Sequence, residues 1–156
     1  MVITAIDTNI LLDILIPNQE FLESSLSKLE ECAGEGNLII CEHVYTELAC
    51  QFNNAMEINR FLQDTKIEVK FSDIETFYEA SLLWKSYQAK ISRQYYCPNC
   101  GKQVDTICSH CNYPLNMPRR VLNDFIIGSH ARRFADVFLT RDRGFYRNYF
   151  KQIKMI

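Results

Sequence analysis

The chain contains no apolar run approaching the roughly 20 residues that a membrane-spanning helix needs. No basic region precedes its first apolar stretch, so a secretory leader is not expected. An even number of cysteines is also missing. Seven are present, and four of them fall between Cys97 and Cys111. That favours metal ligation in a reducing compartment, the cytoplasm, over a disulfide framework. The chain does hold enough for one domain, or one domain with a small insert, in 156 residues of which 47% are apolar. The net charge of −2 hides an asymmetry. Residues 1–92 carry 6 Lys/Arg against 15 Asp/Glu, a net of −9, and residues 93–156 carry 11 against 4, a net of +7. Such a division suggests a metal-binding side and a polyanion-binding side.

Residues 2–12 are the stretch around which the rest is organised. Val2, Ile3, Ala5 and Ile6 read as a buried strand of a parallel sheet. Asp7-Thr8-Asn9 stops the run, and Ile10, Leu11, Ile14 and Leu15 resume it at helical spacing. Asp7 thus stands at the carboxyl end of a strand, where ligands bind in open α/β sheets; the plainer reading is that Asp7 or Thr8 caps the helix. Phe21, Leu22, Ser25, Leu26 and Leu29 predict a second helix ending near Gly34 and Gly36, and Asn37–Cys41 predicts a second strand. The next helix carries Val44, Glu47, Leu48 and Gln51 on one stripe. Glu47 is therefore an acid on an apolar face, needing a partner or a metal if buried, or simply bordering the stripe. Another helix is expected over Met56–Gln63 and an edge strand over Lys66–Phe71. A long helix follows, capped by Ser72-Asp73, with Ile74, Phe77, Tyr78, Ser81, Leu82 and Trp84 as its core face.

Residues 95–117 change character. Cys97-Pro98-Asn99-Cys100 and Cys108-Ser109-His110-Cys111 are two C-x₂-C turns separated by seven residues, the pattern of a tetrahedral four-thiolate site. Structural Zn²⁺ is the expected occupant, with no coordination position left for chemistry; an iron–sulfur or redox dithiol site is the alternative, and His110 could replace one cysteine. Gly101 and Asn112 suit the turns after each pair, and Cys32, Cys41 and Cys50 are expected to stay free. After Pro118, Val121, Asp124, Phe125 and Gly128 share a helical stripe with Ile127 and Ala131 nearby. Asp124 faces the apolar side in the first turn, where capping or dipole pairing is the plainer role. Val137–Leu139 predicts a strand with Asp142 just past its end, and Ile153–Ile156 a last strand.

Four acids thus share a logic. Asp7 and Asp142 follow strands, and Glu47 and Asp124 lie on the core side of helices, so all four can converge at one sheet edge. Clustered carboxylates repel unless a cation joins them, and oxygen-only ligands select Mg²⁺ or Mn²⁺. Such an ion activates water and stabilises charge on a phosphoryl group. On Ile6-Asp7-Thr8-Asn9, Val44-x-x-Glu47-Leu48, Asp124-x-x-Ile127-x-x-x-Ala131 and Leu139-Thr140-x-Asp142-x-x-Phe145, the chain resembles the PIN-domain ribonucleases, the group that contains the VapC-type toxins. The motifs cover residues 1–94 and 118–156 in family order. The cysteine insert departs from ordinary toxin members; zinc ribbons accompany PIN domains of ribosomal-RNA-processing nucleases, usually after the fold.

The resemblance implies a parallel-sheet α/β/α sandwich, here with residues 1–94 and 118–156 as the nuclease domain and residues 95–117 as an inserted four-cysteine zinc ribbon. It implies a metal-dependent endonuclease acting on single-stranded RNA, with Asp7, Glu47, Asp124 and Asp142 as the acidic quartet and Asn9 and Thr140 orienting the carboxylates or the attacking water. Asp7 and Asp124 would be the main metal ligands. Arg119, Arg120, Arg141 and Arg143, within a basic stretch that also holds Arg132, Arg133, Arg147 and Lys151, are the expected RNA contacts, or else a solvated face. Tyr95, Tyr96 and Tyr113 would stack bases or pack around the ion. An antitoxin protein and a homodimer are partners the family suggests. The rivals are a non-catalytic RNA- or protein-binding module built on the ribbon, and a phosphatase-like hydrolase. The latter uses a second Asp where this chain has Asn9.

Overall fold

The computed structural model describes residues 1–90, 95–96, 102–104, 107–113 and 122–156. The elements run β1 (Val2–Ile6), α1 (Thr8–Leu15), α2 (Leu22–Glu35), β2 (Gly36–Ile40), α3 (Glu42–Ala49), α4 (Ala55–Asp64), β3 (Ile67–Val69) and α5 (Ile74–Lys90). They continue with β4 (Tyr95–Tyr96), β5 (Gln103–Val104), α6 (Leu122–Phe134), β6 (Val137–Leu139), α7 (Arg143–Tyr149) and β7 (Lys154–Met155). Five strands form one sheet in the order β3-β2-β1-β6-β7, every pair parallel. β4 and β5 pair antiparallel in a separate two-stranded sheet, Tyr95 opposite Val104. Among the described residues no helix is long and apolar enough to cross a membrane.

The β-branched run at the N-terminus becomes the central strand because both its faces are covered. Ile6, Ile40, Phe138 and Leu139 are each no more than 1% exposed, and helices follow the strands, as parallel sheets require. The Asp7 amide continues the ladder past β1 by donating to the Leu139 carbonyl at 2.9 Å, which sets the residue after β1 beside the residue after β6.

α6 is the helix that carries Asp124 to this edge. Phe125, fully buried, meets the rings of Trp84, Tyr87, Phe145 and Tyr149 at centroid distances of 5.2–5.7 Å. One turn further along, Gly128 lies against Phe150, where an added Cβ would stand 2.4 Å from a ring carbon.

The five strands of the main sheet and helices α1 to α6 follow the sequence expectation to within a few residues. α7 (Arg143–Tyr149) and the β4–β5 pair are elements the sequence reading did not contain, and one buried face also differs. α5 buries Thr76 and Ala80, both 0% exposed, and packs Leu83, Trp84 and Tyr87 on the core. Of the face expected to be buried, Ile74 is 75% exposed, Tyr78 66% and Leu82 49%. Small residues at positions 76 and 80 let α5 approach α6 closely, and hydrophobicity alone favours the wrong side of a helix with two apolar stripes. Asp73 does cap this helix, accepting from the Thr76 amide at 3.0 Å and its hydroxyl at 2.6 Å. One smaller expectation also fails: Gln51 lies beyond the end of α3, whose C-cap is the exposed Cys50.

Candidate active site

The carboxyl edge of the sheet gathers polar groups from five elements. Asp7 follows β1 and Thr140 follows β6, and both are buried, at 5% and 1% exposure. Asp7 occupies the N-cap position of α1 but makes no capping hydrogen bond. Its Oδ2 instead accepts from the Thr140 hydroxyl and from Asn9 Nδ2, each at 2.6 Å. Thr140 Oγ1 accepts in turn from the Asp142 amide at 3.0 Å. Glu47, brought in by α3 after β2, accepts from the Thr8 hydroxyl through Oε2 and from Asn123 Nδ2 through Oε1 at 3.5 Å. Asn123 precedes Asp124 in the first turn of α6, so α1, α3 and α6 are tied together at this point.

Electrostatics couple Asp7 to Asp124 and Glu47. Burial pushes Asp7 up to about 6 from its ordinary 3.8; hydrogen bonding, chiefly from Thr140, opposes the rise, and the charges of Asp124 and Glu47 add to it. Asp142 follows β6. Its Oδ1 accepts from the Phe145 amide at 3.4 Å and caps α7, and its link to Asp7 runs through Thr140. Among the described residues no three His, Cys, Asp or Glu side chains stand close enough to cage an ion as placed. As placed, Asp7 accepts from Thr140 and Asn9, Glu47 from Thr8 and Asn123, and Asp142 from the Phe145 amide. The donor set nevertheless suits a hard divalent ion. It is all oxygen, and the burial and like charge that raise Asp7 are what a bound cation offsets.

Three contributors escape the sequence reading. Thr8 and Asn123 are polar neighbours of the acids, and their role appears only once α3 is packed between α1 and α6. Asp13, 3% exposed, accepts from the Ser25 hydroxyl at 2.7 Å and from Arg141 Nε at 3.0 Å. An acid three residues after Ile10 on an apolar helix was the signal for it.

The basic residues divide. Arg141 is held by Asp13, lies 4.2 Å over the Phe21 ring, and donates its backbone amide to Asn9 Oδ1 at 3.2 Å. Arg143 is exposed at the start of α7. Arg132 pairs with Glu79, and Arg133 with Asp73 at 2.5 Å. These two staple α6 to α5 some ~12 Å along the helix from Asp124 and do not join the acid edge. Arg119 and Arg120 lie outside the described residues, as do Cys97 and Cys100. Cys108 and Cys111 are free thiols in a tight turn, closed by Asn112 N to Cys108 O and Cys108 N to Tyr113 O, both 2.9 Å. Asn112 takes the left-handed conformation the sequence suggested, with φ 58°. Hydrogen bonds from the backbone of His110 and Cys111 hold the Cys108 thiol below its ordinary range.

A family model for the PIN domain matches residues 4–151. The chain belongs to the PIN domain family. The match begins inside β1 and ends just after α7, so all four acids of this PIN domain fall within it. Among solved structures, the chain is similar to one in the crystal structure of VapBC2 from Rickettsia felis bound to a DNA fragment from their promoter. The TM-score is 0.60 at 17% identity, covering 99% of this chain and 97% of that one, a likeness of fold. No curated protein matches the sequence.

Proposed function

We propose that this PIN domain is a divalent-metal-dependent endoribonuclease that hydrolyses phosphodiester bonds of single-stranded RNA. The observation that carries the reading is the buried Asp7 at the end of the central strand, with Asp124 and Glu47 near enough to raise its pKa. Asp7, Glu47, Asp124 and Asp142 would hold Mg²⁺ or Mn²⁺. The ion, when bound, supplies an activated water and stabilises the charge developing on the phosphoryl oxygens. The chain's own groups set the geometry. Thr140 and Asn9 fix the Asp7 carboxylate, Thr8 and Asn123 fix Glu47, and Asp142 keeps α7 and its Arg143 at the edge. Arg141 and Arg143, with Arg119 and Arg120, are the proposed contacts to RNA phosphates.

Residues 95–117, between the two parts of the nuclease domain (1–94 and 118–156), are proposed to form a ribbon around one structural Zn²⁺ held by Cys97, Cys100, Cys108 and Cys111. Support comes from the antiparallel pairing of β4 with β5, on either side of Cys97 and Cys100 in sequence, and from the hydrogen-bonded turn that presents Cys108 and Cys111. Elemental analysis should find one zinc per chain, lost in Cys97→Ser. A ratio near zero in protein purified without chelator overturns the assignment. The likeness to a VapBC2 chain supports an antitoxin as partner.

The nuclease reading is tested by cleavage of single-stranded RNA in Mg²⁺, in Mn²⁺ and in EDTA. Activity should vanish in EDTA and fall roughly 10²-fold or more in Asp7→Asn or Asp124→Asn. Full activity in EDTA sinks the mechanism. The spacing of the acids favours one second reading, a non-catalytic RNA- or protein-binding module using the ribbon. RNA binding without cleavage in any divalent ion would establish it.

A further inference from the structure

A cavity of about 310 Å³ opens between α1, α2 and the start of α7, beside the acid edge. Ile10 and Phe21 line it together with Lys28, Arg141 and Arg143. Its position follows from Arg141, which belongs to both places. The backbone amide of Arg141 bonds Asn9, whose side chain bonds Asp7, and the same residue lines the cavity. That guanidinium is fixed in advance. The almost fully buried Asp13 takes its Nε at 3.0 Å, Ser25 anchors Asp13 at 2.7 Å, and the Phe21 ring supports the guanidinium at 4.2 Å. Asp13 matches the charge of Arg141. Lys28, half-buried, and Arg143, exposed, take part in no ion pair among the described residues. The cavity is thus net positive, partly apolar and at the small end of the size range for ligand pockets, about 300–1,000 Å³.

We infer that this cavity is a subsite for one nucleotide of the RNA strand: Lys28 and Arg143 hold the phosphate next to the scissile one, and the Phe21 and Ile10 wall takes the apolar part of that nucleotide. The inference rests on the nuclease reading for which phosphate is scissile. The charge and the preformed arginine do not depend on it. A guanidinium with Nε and one face already engaged keeps its terminal nitrogens for a ligand, without the entropy cost of ordering a free side chain. One residue, Arg141, spans the cavity and the acid site, which suits neighbouring phosphates of a single strand. The uncompensated positive charge favours a nucleic-acid strand over a basic protein segment.

The test separates binding from cleavage. A fluorescent single-stranded oligoribonucleotide is titrated in EDTA against wild type and Lys28→Ala/Arg143→Ala over a range of salt. The double variant should bind about tenfold more weakly, with its salt dependence flattened by roughly 0.7 per lost contact. Both side chains are unpaired, so the variant should fold as wild type does. Arg141→Lys keeps the charge but loses the planar head that Asp13 and Phe21 hold, and should also weaken binding. Oligonucleotides with one phosphate at a time replaced by a neutral methylphosphonate then locate the contact. A single position flanking the cleavage site should penalise wild type and not the double variant.

Unchanged affinity and slope in the double variant overturn the subsite and leave the nuclease reading intact. The predicted binding losses with no cleavage in Mg²⁺ or Mn²⁺ support the cavity as a strand-binding site and overturn the nuclease reading instead. Loss of binding to a protein partner only, with oligonucleotide binding unaffected, assigns the cavity to that partner and overturns the proposal.

Discussion

Two aspartates, one at the N-cap of α1 and one within it, are both buried, and their surroundings are opposite. Asp13 has a cation at 3.0 Å and a hydroxyl at 2.7 Å. Asp7 has two neutral donors at 2.6 Å and the charges of two other acids nearby, and its pKa is pushed up to about 6. A buried charge needs compensation. At Asp13 the fold supplies it, and that residue can be explained by structure alone. At Asp7 the fold supplies hydrogen bonds that fix direction while surrounding the group with like charge. Burial is shared, so burial does not distinguish a structural acid from a functional one. The sign of the nearest full charge does.

The sharpest way to break this comparison is to remove the charge at Asp7. With its folded value near 6 and its ordinary value at 3.8, the native state holds the proton more tightly than the unfolded chain. The stability this group contributes is therefore fully present below pH 3.8 and is lost as pH rises through about 6. In metal-free buffer Asp7→Asn should escape that loss and be more stable than wild type above pH 6, by up to about 3 kcal/mol. Denaturant unfolding at pH 4 and pH 7 measures it, and a variant less stable than wild type at pH 7 would refute the electrostatic account.

Asp13→Ala should do the opposite and destabilise. Breaking a fully buried ion pair costs about 3–5 kcal/mol. Arg141 is a third exposed, so about 2 kcal/mol is expected here. The same unfolding measurement reads it, at any pH from 6 to 8. The smallest effect concerns the third kind of acid, Asp142, whose carboxylate caps α7. Asp142→Ala should lose about 1 kcal/mol of stability and Asp142→Asn, which retains a capping oxygen, much less. If both also abolish cleavage equally, Asp142 has a role at the acid edge beyond capping.

The acid positions were legible because each breaks a local pattern. Asp7 ends a β-branched run, Glu47 and Asp124 interrupt apolar stripes, and Asp142 follows Val137–Leu139. The order of the main-sheet strands and of α1 to α6 was legible from the same apolar patterning; the short helix α7 was not. The residues that orient these acids were not, since Thr8 and Asn123 meet Glu47 only through tertiary packing. The buried face of α5 was misread because Thr76 and Ala80, which decide it, carry less hydrophobicity than Ile74 and Leu82 on the other side. The role of Arg141 was half visible. Its place beside Asp142 put it at the acid edge, but the buried partner that immobilises it sits on a helix read only for its apolar residues.

The central claim is that the edge around Asp7 is a cation site, and direct binding tests it better than activity does. Mn²⁺ titrated into wild type and Asp7→Asn above pH 6, followed by calorimetry and by thermal unfolding, bypasses any question of substrate. The account predicts saturable binding that raises the unfolding temperature of wild type and is weakened at least about tenfold in Asp7→Asn, as expected when a carboxylate ligand is removed. Equal Mn²⁺ affinity in the two proteins, or no binding by wild type, would contradict it.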